Sequence, residues 1–564
     1  MMVLGLVLAL AMLGLNAQPA AADHTPVPSS VTLVGSLQQE LGCPGDWQPE
    51  CAATHLAPVA GQPEVFRGTF TVPAGTYAYK VALNNGWGEN YGAGGAAGGA
   101  DLSLNSTGDP ITFSYDHRTH RITDDTPKPL IADAAAHWLL RDTLAWDLPD
   151  ARDGFSYRLY WAAQGGLTND DGTIAGGDSL PLTLRSGGLS SRLRTQYPHL
   201  SAFESLHVPT LTRRQLAGIL TGQVAVASFT PQGELSAVTA VQLPGVLDQL
   251  YAGARSRTLG PTWRDGRPSV RVWAPTATSV ALMLTRVGSG TEQRVAMTRD
   301  SDGVWSARGS SGWRNARYRF EVKVYAPTTQ SVVTNLVTDP YSLGLTTNSA
   351  RSILVDLSDR SLLPSGWNRL RKPTVPAPEY STIYELHVRD FSVSDATVPA
   401  AHRGTYLAFT DRNSNGMRHL RELAEAGLNT VHLLPVNDIA SIEEDNSAQQ
   451  TPDCDLASFP PDSEQQQACV TAVAGKDAFN WGYDPLHYTA PEGSYATDPS
   501  GTARNRQFRE MVKGLNGAGQ RVVMDVVYNH APASGQDGKS ILDRVVPGYY
   551  QRLNPTSGTV ETST

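Results

Sequence analysis

The chain has 564 residues, of which 40% are hydrophobic and 18% charged, and a formal net charge of −9. A single core rarely grows past about 250–300 residues, so several domains are expected. The composition is that of an ordinary globular chain. Its negative balance argues against nucleic acid or an anionic membrane surface as partner.

Val3 to Leu15 is an apolar run, followed by Asn16-Ala17-Gln18-Pro19-Ala20-Ala21-Ala22. It reads as a signal peptide over residues 1–22, although no Lys or Arg precedes it, and the mature chain is expected to be secreted. The run is too short for a bilayer, which needs about 20 residues, and no later stretch is long and apolar enough to span one. Four cysteines, Cys43, Cys51, Cys454 and Cys469, allow three disulfide pairings, or four free thiols in a reducing compartment. Proximity favours Cys43–Cys51 and Cys454–Cys469, and an oxidising compartment would permit them.

Residues 28–124 read as a β domain. Val31 to Val34, Gly68 to Val72 and the alternating Tyr77 to Leu83 are strand-like, separated by Gly- and Asn-rich turns. The loop Asn85-Gly86-Trp87-Gly88-Glu89-Asn90-Tyr91-Gly92 carries two aromatics among hydrogen-bonding residues. Trp87 and Tyr91 are therefore either sugar-binding faces or core plugs. Residues 130–250 form a second β domain, with Phe155 to Trp161, Gln223 to Phe229 and Ala237 to Val241 as strands. His137 and Trp138 read as structural. Residues 255–365 form a third, with Val270 to Trp273 and Tyr318 to Tyr325 as strands and Trp273 and Trp305 as core.

After a Pro-rich linker, Lys372 to Pro378, the period changes. Over residues 378–564, Thr382 to Phe391, Thr430 to Pro435 and Val522 to Val527 read as strands, the last fully buried. Met417, Leu420 and Leu423, and Phe508, Met511 and Leu515, recur at helical spacing between them. Such alternation predicts a parallel sheet. Ile439 to Ala478 is a long polar insertion.

Two motifs stand out: Phe479-Asn480-Trp481-Gly482-Tyr483-Asp484-Pro485, and Asp525-Val526-Val527-Tyr528-Asn529-His530, which leaves the third strand where a (β/α) barrel places its active site. With the flank Tyr488 to Tyr495, they resemble the amylase superfamily of glycoside hydrolases, most closely type I pullulanases. The resemblance implies three β-sandwich modules followed by the first part, about three strands, of a (β/α)8 TIM-type barrel. The modules would be a starch-associated one, a second amino-terminal β domain and an immunoglobulin-like carbohydrate-binding-type one.

It also implies hydrolysis of α-1,6-glucosidic branch linkages in pullulan or amylopectin by a retaining mechanism, with an α-glucan as partner and a monomeric state. Substrate-binding roles fall on Asn480, Trp481, Tyr483, Asp484, Asp525 and His530. Tyr483 would stack on the sugar and His530 would donate to its hydroxyls. No cofactor is required. Calcium is allowed for, because Asn529 is a calcium ligand in some relatives. The family's nucleophile and acid/base follow its fourth and fifth strands. No such stretch is found here, so no catalytic residue is assigned and that pair is expected beyond Thr564. Asp543 and Glu561 follow no buried strand. The alternatives are a non-catalytic α-glucan-binding fragment and a glycogen- or isoamylase-type debranching enzyme.

Overall fold

A computed structural model describes residues 25–92, 95–126, 131, 133–148, 154–170 and 172–562. The expected signal peptide, residues 1–22, lies outside them. So does Thr564, the position beyond which the nucleophile and acid/base are expected, and the described residues leave that expectation untested. The chain divides into two compact units, residues 1–130 with 169–174, and residues 131–168 with 175–564.

In the first unit eight strands form one hydrogen-bonded sheet. The order is Asn90–Tyr91, Gly75–Leu83, Val31–Gly35, His55–Val59, Gln62–Thr71, Pro110–Asp116 and Arg121–Asp124, with Leu102–Ser106 also pairing Gly75–Leu83. All these pairings are antiparallel. The period-two pattern explains the core. Ile111, Phe113 and Tyr115 point inward from one strand, and Tyr79 and Val81 from another. The sheet is continuous through His55–Val59, where two separate sheets were expected. The Cys43–Cys51 disulfide closes a loop beside it.

The second domain corrects the expectation of a sandwich, because it is a closed barrel. Its seven strands run Ala136–Leu140, Thr143–Trp146, Glu204–His207, Asp178–Arg185, Ser156–Ala162, Gln223–Phe229 and Leu235–Gln242. Closure comes from one parallel pairing, of Val241 with Ala136 and Gln242 with His137. That contact joins residues over a hundred positions apart, so no local pattern announces it. Trp138, Leu144, Leu159, Leu206 and Val226 fill the interior. The third domain is a sandwich. One sheet holds Gly260–Arg264, Arg267–Trp273 and Val304–Arg308, and the other Ala277–Thr285, Arg317–Ala326 and Ser331–Val337. Trp273 and Trp305 are buried in its core.

Beyond residue 378, Ile383–Leu386, Thr430–Leu433 and Arg521–Met524 form a parallel three-stranded sheet. The helices Asn415–Glu425 and Ala503–Gly517 lie in the two connections, each ahead of a strand. The third strand is not the buried element expected. It ends at Met524, and Val523, Met524 and Val526 are exposed. It is an edge strand with only Thr430–Leu433 beside it, so its apolar side chains lack a second neighbour among the described residues. The polar insertion is closed by Cys454–Cys469.

A buried polar cluster ties this region to the third domain. Arg504, wholly buried on the helix Ala503–Gly517, donates to Glu444 (2.9 Å) and lies 3.5 Å from Asp438. Glu444 accepts the backbone N–H of Asn348 (2.7 Å) and of Gly493 (3.0 Å). Asp438 accepts Ser349 Oγ (2.7 Å) and pairs with His487 (2.6 Å), whose other nitrogen meets Thr338 (2.8 Å). Glu492 accepts the N–H groups of Ile439 and Ser494, at 2.8 and 2.7 Å. A Cβ at Gly493 would come within 2.2 Å of Glu444 Oε1, so the packing requires glycine there. Burial, reinforced by Glu444 and Asp438, pushes the Glu492 carboxyl up to about 8, and burial also raises Glu444.

Two outcomes are expected. Arg504→Met removes the cation paired with buried Glu444 and Asp438 and should destabilise this region by about 3–5 kcal/mol, read from amide exchange over residues 436–445 and 490–505. An acid whose folded pKa is raised binds its proton more tightly in the native state. Its stabilising effect is complete below the unfolded value and is lost as pH rises toward 8. Exchange protection of the same segments, corrected for intrinsic rates, should therefore fall between pH 5 and 8, by on the order of 1 kcal/mol per unit. Glu492→Gln should flatten that slope.

Candidate functional site

The two motifs meet at the exit of the third parallel strand. The Tyr483 hydroxyl donates to Asp525 Oδ2 at 2.5 Å. His530 Nε2 lies 2.7 Å from the Tyr483 carbonyl oxygen, which can only accept, so Nε2 carries the proton. His530 Nδ1 faces Asn529 Oδ1 at 2.9 Å, and Tyr488 donates to the His530 carbonyl at 3.1 Å. The hydrogen bond to Asp525, with some desolvation, pushes the Tyr483 phenol up to about 12, so it stays a neutral donor at physiological pH.

Backbone geometry explains how residues 480–484 turn. Gly482 has φ +78°, and a Cβ there would lie 2.7 Å from the Pro435 carbonyl. The Asp484 carbonyl accepts from Ala440 N at 2.8 Å, which pins the far end. Asn480 is held from below, its Oδ1 accepting from Tyr495 (2.9 Å), with His387 Nε2 at 3.2 Å. Tyr495 also contacts His387 at 3.1 Å, and its backbone carbonyl accepts from Tyr406 N at 2.8 Å. Sequence reasoning gave Tyr495 and His387 no role. Both lie in segments quoted for other reasons, and only their convergence on Asn480 marks them.

The surface above is open. Trp481 is 62% exposed and Tyr528 71%, and Phe479 and Tyr483 are exposed beside them. Of the predicted residues, Tyr483, Asp525 and His530 are in direct contact, whereas Asn480 faces inward and Trp481 faces solvent. One expectation changes. The His530 Nε2–H is spent on the Tyr483 backbone, so this histidine holds the loop instead of donating from that nitrogen to a ligand.

Calcium does not fit at Asn529. Among the described residues no grouping of three acidic side chains lies there, whereas calcium takes about 6–8 oxygen ligands. The one grouping of three acidic side chains among the described residues is Asp438, Glu444 and Glu492, and Arg504 already pairs with two of them. Asp543 is a structural carboxylate, accepting the N–H of Gly535 (2.8 Å) and Gly548 (3.1 Å). In the first unit, Tyr91 is buried against His120 (ring centroids 4.0 Å apart) and donates to Glu89. It is a core plug, which removes it as a sugar-binding candidate. Trp87 is exposed.

The fold defines a modular protein in which three β domains precede parallel β–α units that carry an aromatic and acidic surface. Residues 30–122 match the pullulanase X25 domain, residues 133–249 the pullulanase N2 domain, and residues 258–342 carbohydrate-binding module 48, the isoamylase N-terminal domain. The chain is 37% identical to chloroplastic pullulanase 1 of Arabidopsis thaliana over 76% of its own length and 44% of that protein's. It is 38% identical to a pullulanase of Klebsiella pneumoniae over 77% of its length and 43% of the relative's. The crystal structure of a Klebsiella pneumoniae pullulanase complexed with maltotriose superposes with a TM-score of 0.72 at 30% identity, covering 97% of this chain and 55% of that one. Its three amino-terminal domains match those of pullulanases and isoamylases, and over the part covered the chain is similar to pullulanases. It spans less than half the length of the curated relatives it matches.

Gly482→Ala should strain the turn that presents Tyr483. Amide exchange over residues 479–484 is expected to show opening that is easier by about 1–3 kcal/mol. Unchanged protection would show that the left-handed turn does not control this loop.

Proposed function

We propose that this chain is the glucan-holding part of a secreted pullulanase-type glycoside hydrolase, whose complete form hydrolyses α-1,6 branch linkages of α-glucans by a retaining mechanism. The observation that carries the reading is the convergence of Tyr483, Asp525 and His530 at one strand exit. That is where a (β/α) barrel builds its active site, and the three parallel strands are read as the start of such a barrel. The two relatives described above are pullulanases, and the solved structure described above is a complex with maltotriose.

In this reading the exposed Tyr483 ring packs against the apolar face of a glucose unit. Asp525 fixes the phenol by its short hydrogen bond, and His530 locks the backbone of the same residue. Trp481 and Tyr528 extend the apolar surface, and Asn480, held by Tyr495 and His387, orients the loop. Retaining hydrolysis needs two carboxyl groups about 5–5.5 Å apart across the bond. We place that pair outside these residues, because among the described ones only three parallel strands occur and no carboxylate follows a fourth. Export is consistent with the apolar leader and with both disulfides being formed. Among the described residues no helix is long and apolar enough to cross a membrane.

Titration of the 564-residue chain with maltotriose should show binding that weakens about tenfold or more in Tyr483→Ala, with Asp525→Asn intermediate and no reducing sugar released from pullulan. Equal affinity in wild type and Tyr483→Ala would remove the basis of the reading. Release of sugar by the chain itself would overturn the placement of the cutting pair.

A further inference from the structure

The first unit carries a second aromatic feature, distinct from the motif residues. The Trp47 and Trp87 rings lie with centroids 6.5 Å apart and planes inclined by 34°. Neither belongs to the hydrophobic core of that unit, which is built from residues such as Leu33, Tyr79, Phe113 and Tyr115. Trp87 is 44% exposed and Trp47 half-buried. Two large aromatic rings are thus kept near solvent although the core is complete without them. An exposed indole pair without a packing role has an apolar face to offer.

Both loops are held in shape. Trp47 sits at φ +58°, a left-handed conformation that a tryptophan rarely adopts. It is kept there from both sides. Its N–H donates to the Gly35 carbonyl at 3.3 Å. The buried Gln38 side chain accepts the Gln48 N–H at 2.7 Å and donates to the Gln48 carbonyl at 3.0 Å. The Cys43–Cys51 disulfide closes the same loop, and Asp46 accepts Gln39 N at 2.9 Å. Asn84 and Asn85, ahead of Trp87, are also left-handed, at φ +55° and +58°. Asn84 Oδ1 accepts the Ser29 N–H at 2.8 Å, Asn85 Oδ1 accepts the Ser30 hydroxyl at 2.8 Å, and Asn90 donates to the Trp87 carbonyl at 3.1 Å. Strained backbone persists only where its surroundings over-determine it, and it concentrates at ligand clamps. Here two such turns bring the two rings together.

We infer that Trp47 and Trp87 form a binding platform for an α-linked glucan chain, one ring for each of two nearby glucose units. The inclination of the rings selects the ligand. An α-1,4-linked chain curves, so its successive apolar faces are tilted relative to one another, whereas a β-1,4-linked ribbon presents flat, parallel faces. Planes at 34° suit the curved chain. Fixing both rings before binding lowers the ordering cost of association. The choice of an α-glucan rests on the function proposed above, but the platform does not.

The test uses the 564-residue chain with maltohexaose and, separately, cellohexaose. Hydroxyl-radical footprinting read by mass spectrometry should show maltohexaose protecting Trp47 and Trp87 in the wild-type protein. Calorimetry on a Tyr483→Ala background should show about tenfold weaker maltohexaose binding when Trp47→Ala or Trp87→Ala is added, with Trp87→Phe in between. Circular dichroism and an intact Cys43–Cys51 bridge would certify the fold. Unprotected tryptophans with unchanged affinity in both alanine variants would overturn the platform. Should Tyr483→Ala alone abolish binding, the strand-exit reading would stand and the platform would fall. Should Tyr483→Ala change nothing while the tryptophan variants lose binding, the platform would stand and the strand-exit reading would fall. Preference for cellohexaose would overturn the assigned ligand.

Discussion

The organisation of residues 338–505 depends on one buried cation. Arg504 sits among Asp438, Glu444 and Glu492, and none of these groups reaches water. Charges in such a place are tolerable only when paired and hydrogen-bonded. The chain meets that demand with backbone N–H groups of Asn348, Ile439, Gly493 and Ser494, the Ser349 hydroxyl and the His487 ring. These donors come from separate stretches of chain. Satisfying the charges therefore fixes where the third β domain meets the parallel strands. It also fixes where the segment from Glu492 to Tyr495 runs.

That segment links the cluster to the open surface. Tyr406 donates to the Glu492 carbonyl at 3.0 Å and to the Tyr495 carbonyl through its N–H. Tyr495 then reaches Asn480, in the motif that presents Tyr483. The site is thus held from beneath by buried aromatic hydroxyls, while its upper face carries exposed Trp481, Tyr483 and Tyr528. A rigid floor under an exposed apolar surface suits a ligand that is itself part apolar and part hydroxylated.

The tryptophan pair of the first unit follows the same logic by other means. There the rigidity comes from a disulfide-closed loop and left-handed turns, with no buried charge. In both places aromatic faces are fixed ahead of any ligand. At the strand exit an acid is aimed at the ring hydroxyl, and between the tryptophans the inclination of the rings carries the shape.

Local information in the chain was enough for the β domains, the parallel strands and the two motifs, because hydrophobic period and turn residues report how each short segment is solvated. The short-range cysteine pairs were legible for the same reason, since each partner lies within a few turns of chain. Contacts between distant segments were not. The parallel pairing of Val241 with Ala136 closes a barrel where alternation alone suggested a sandwich. The exposure of Val523 and Val526 depends on how many strands flank them, which an apolar run cannot reveal. Tyr91 and Trp87 share one loop and read alike, yet one packs on His120 inside and the other meets Trp47 outside. The commitment of His530 Nε2 to a carbonyl and the assembly of distant segments around Arg504 belong to tertiary structure, because they arise from side chains that become neighbours only after the elements have packed.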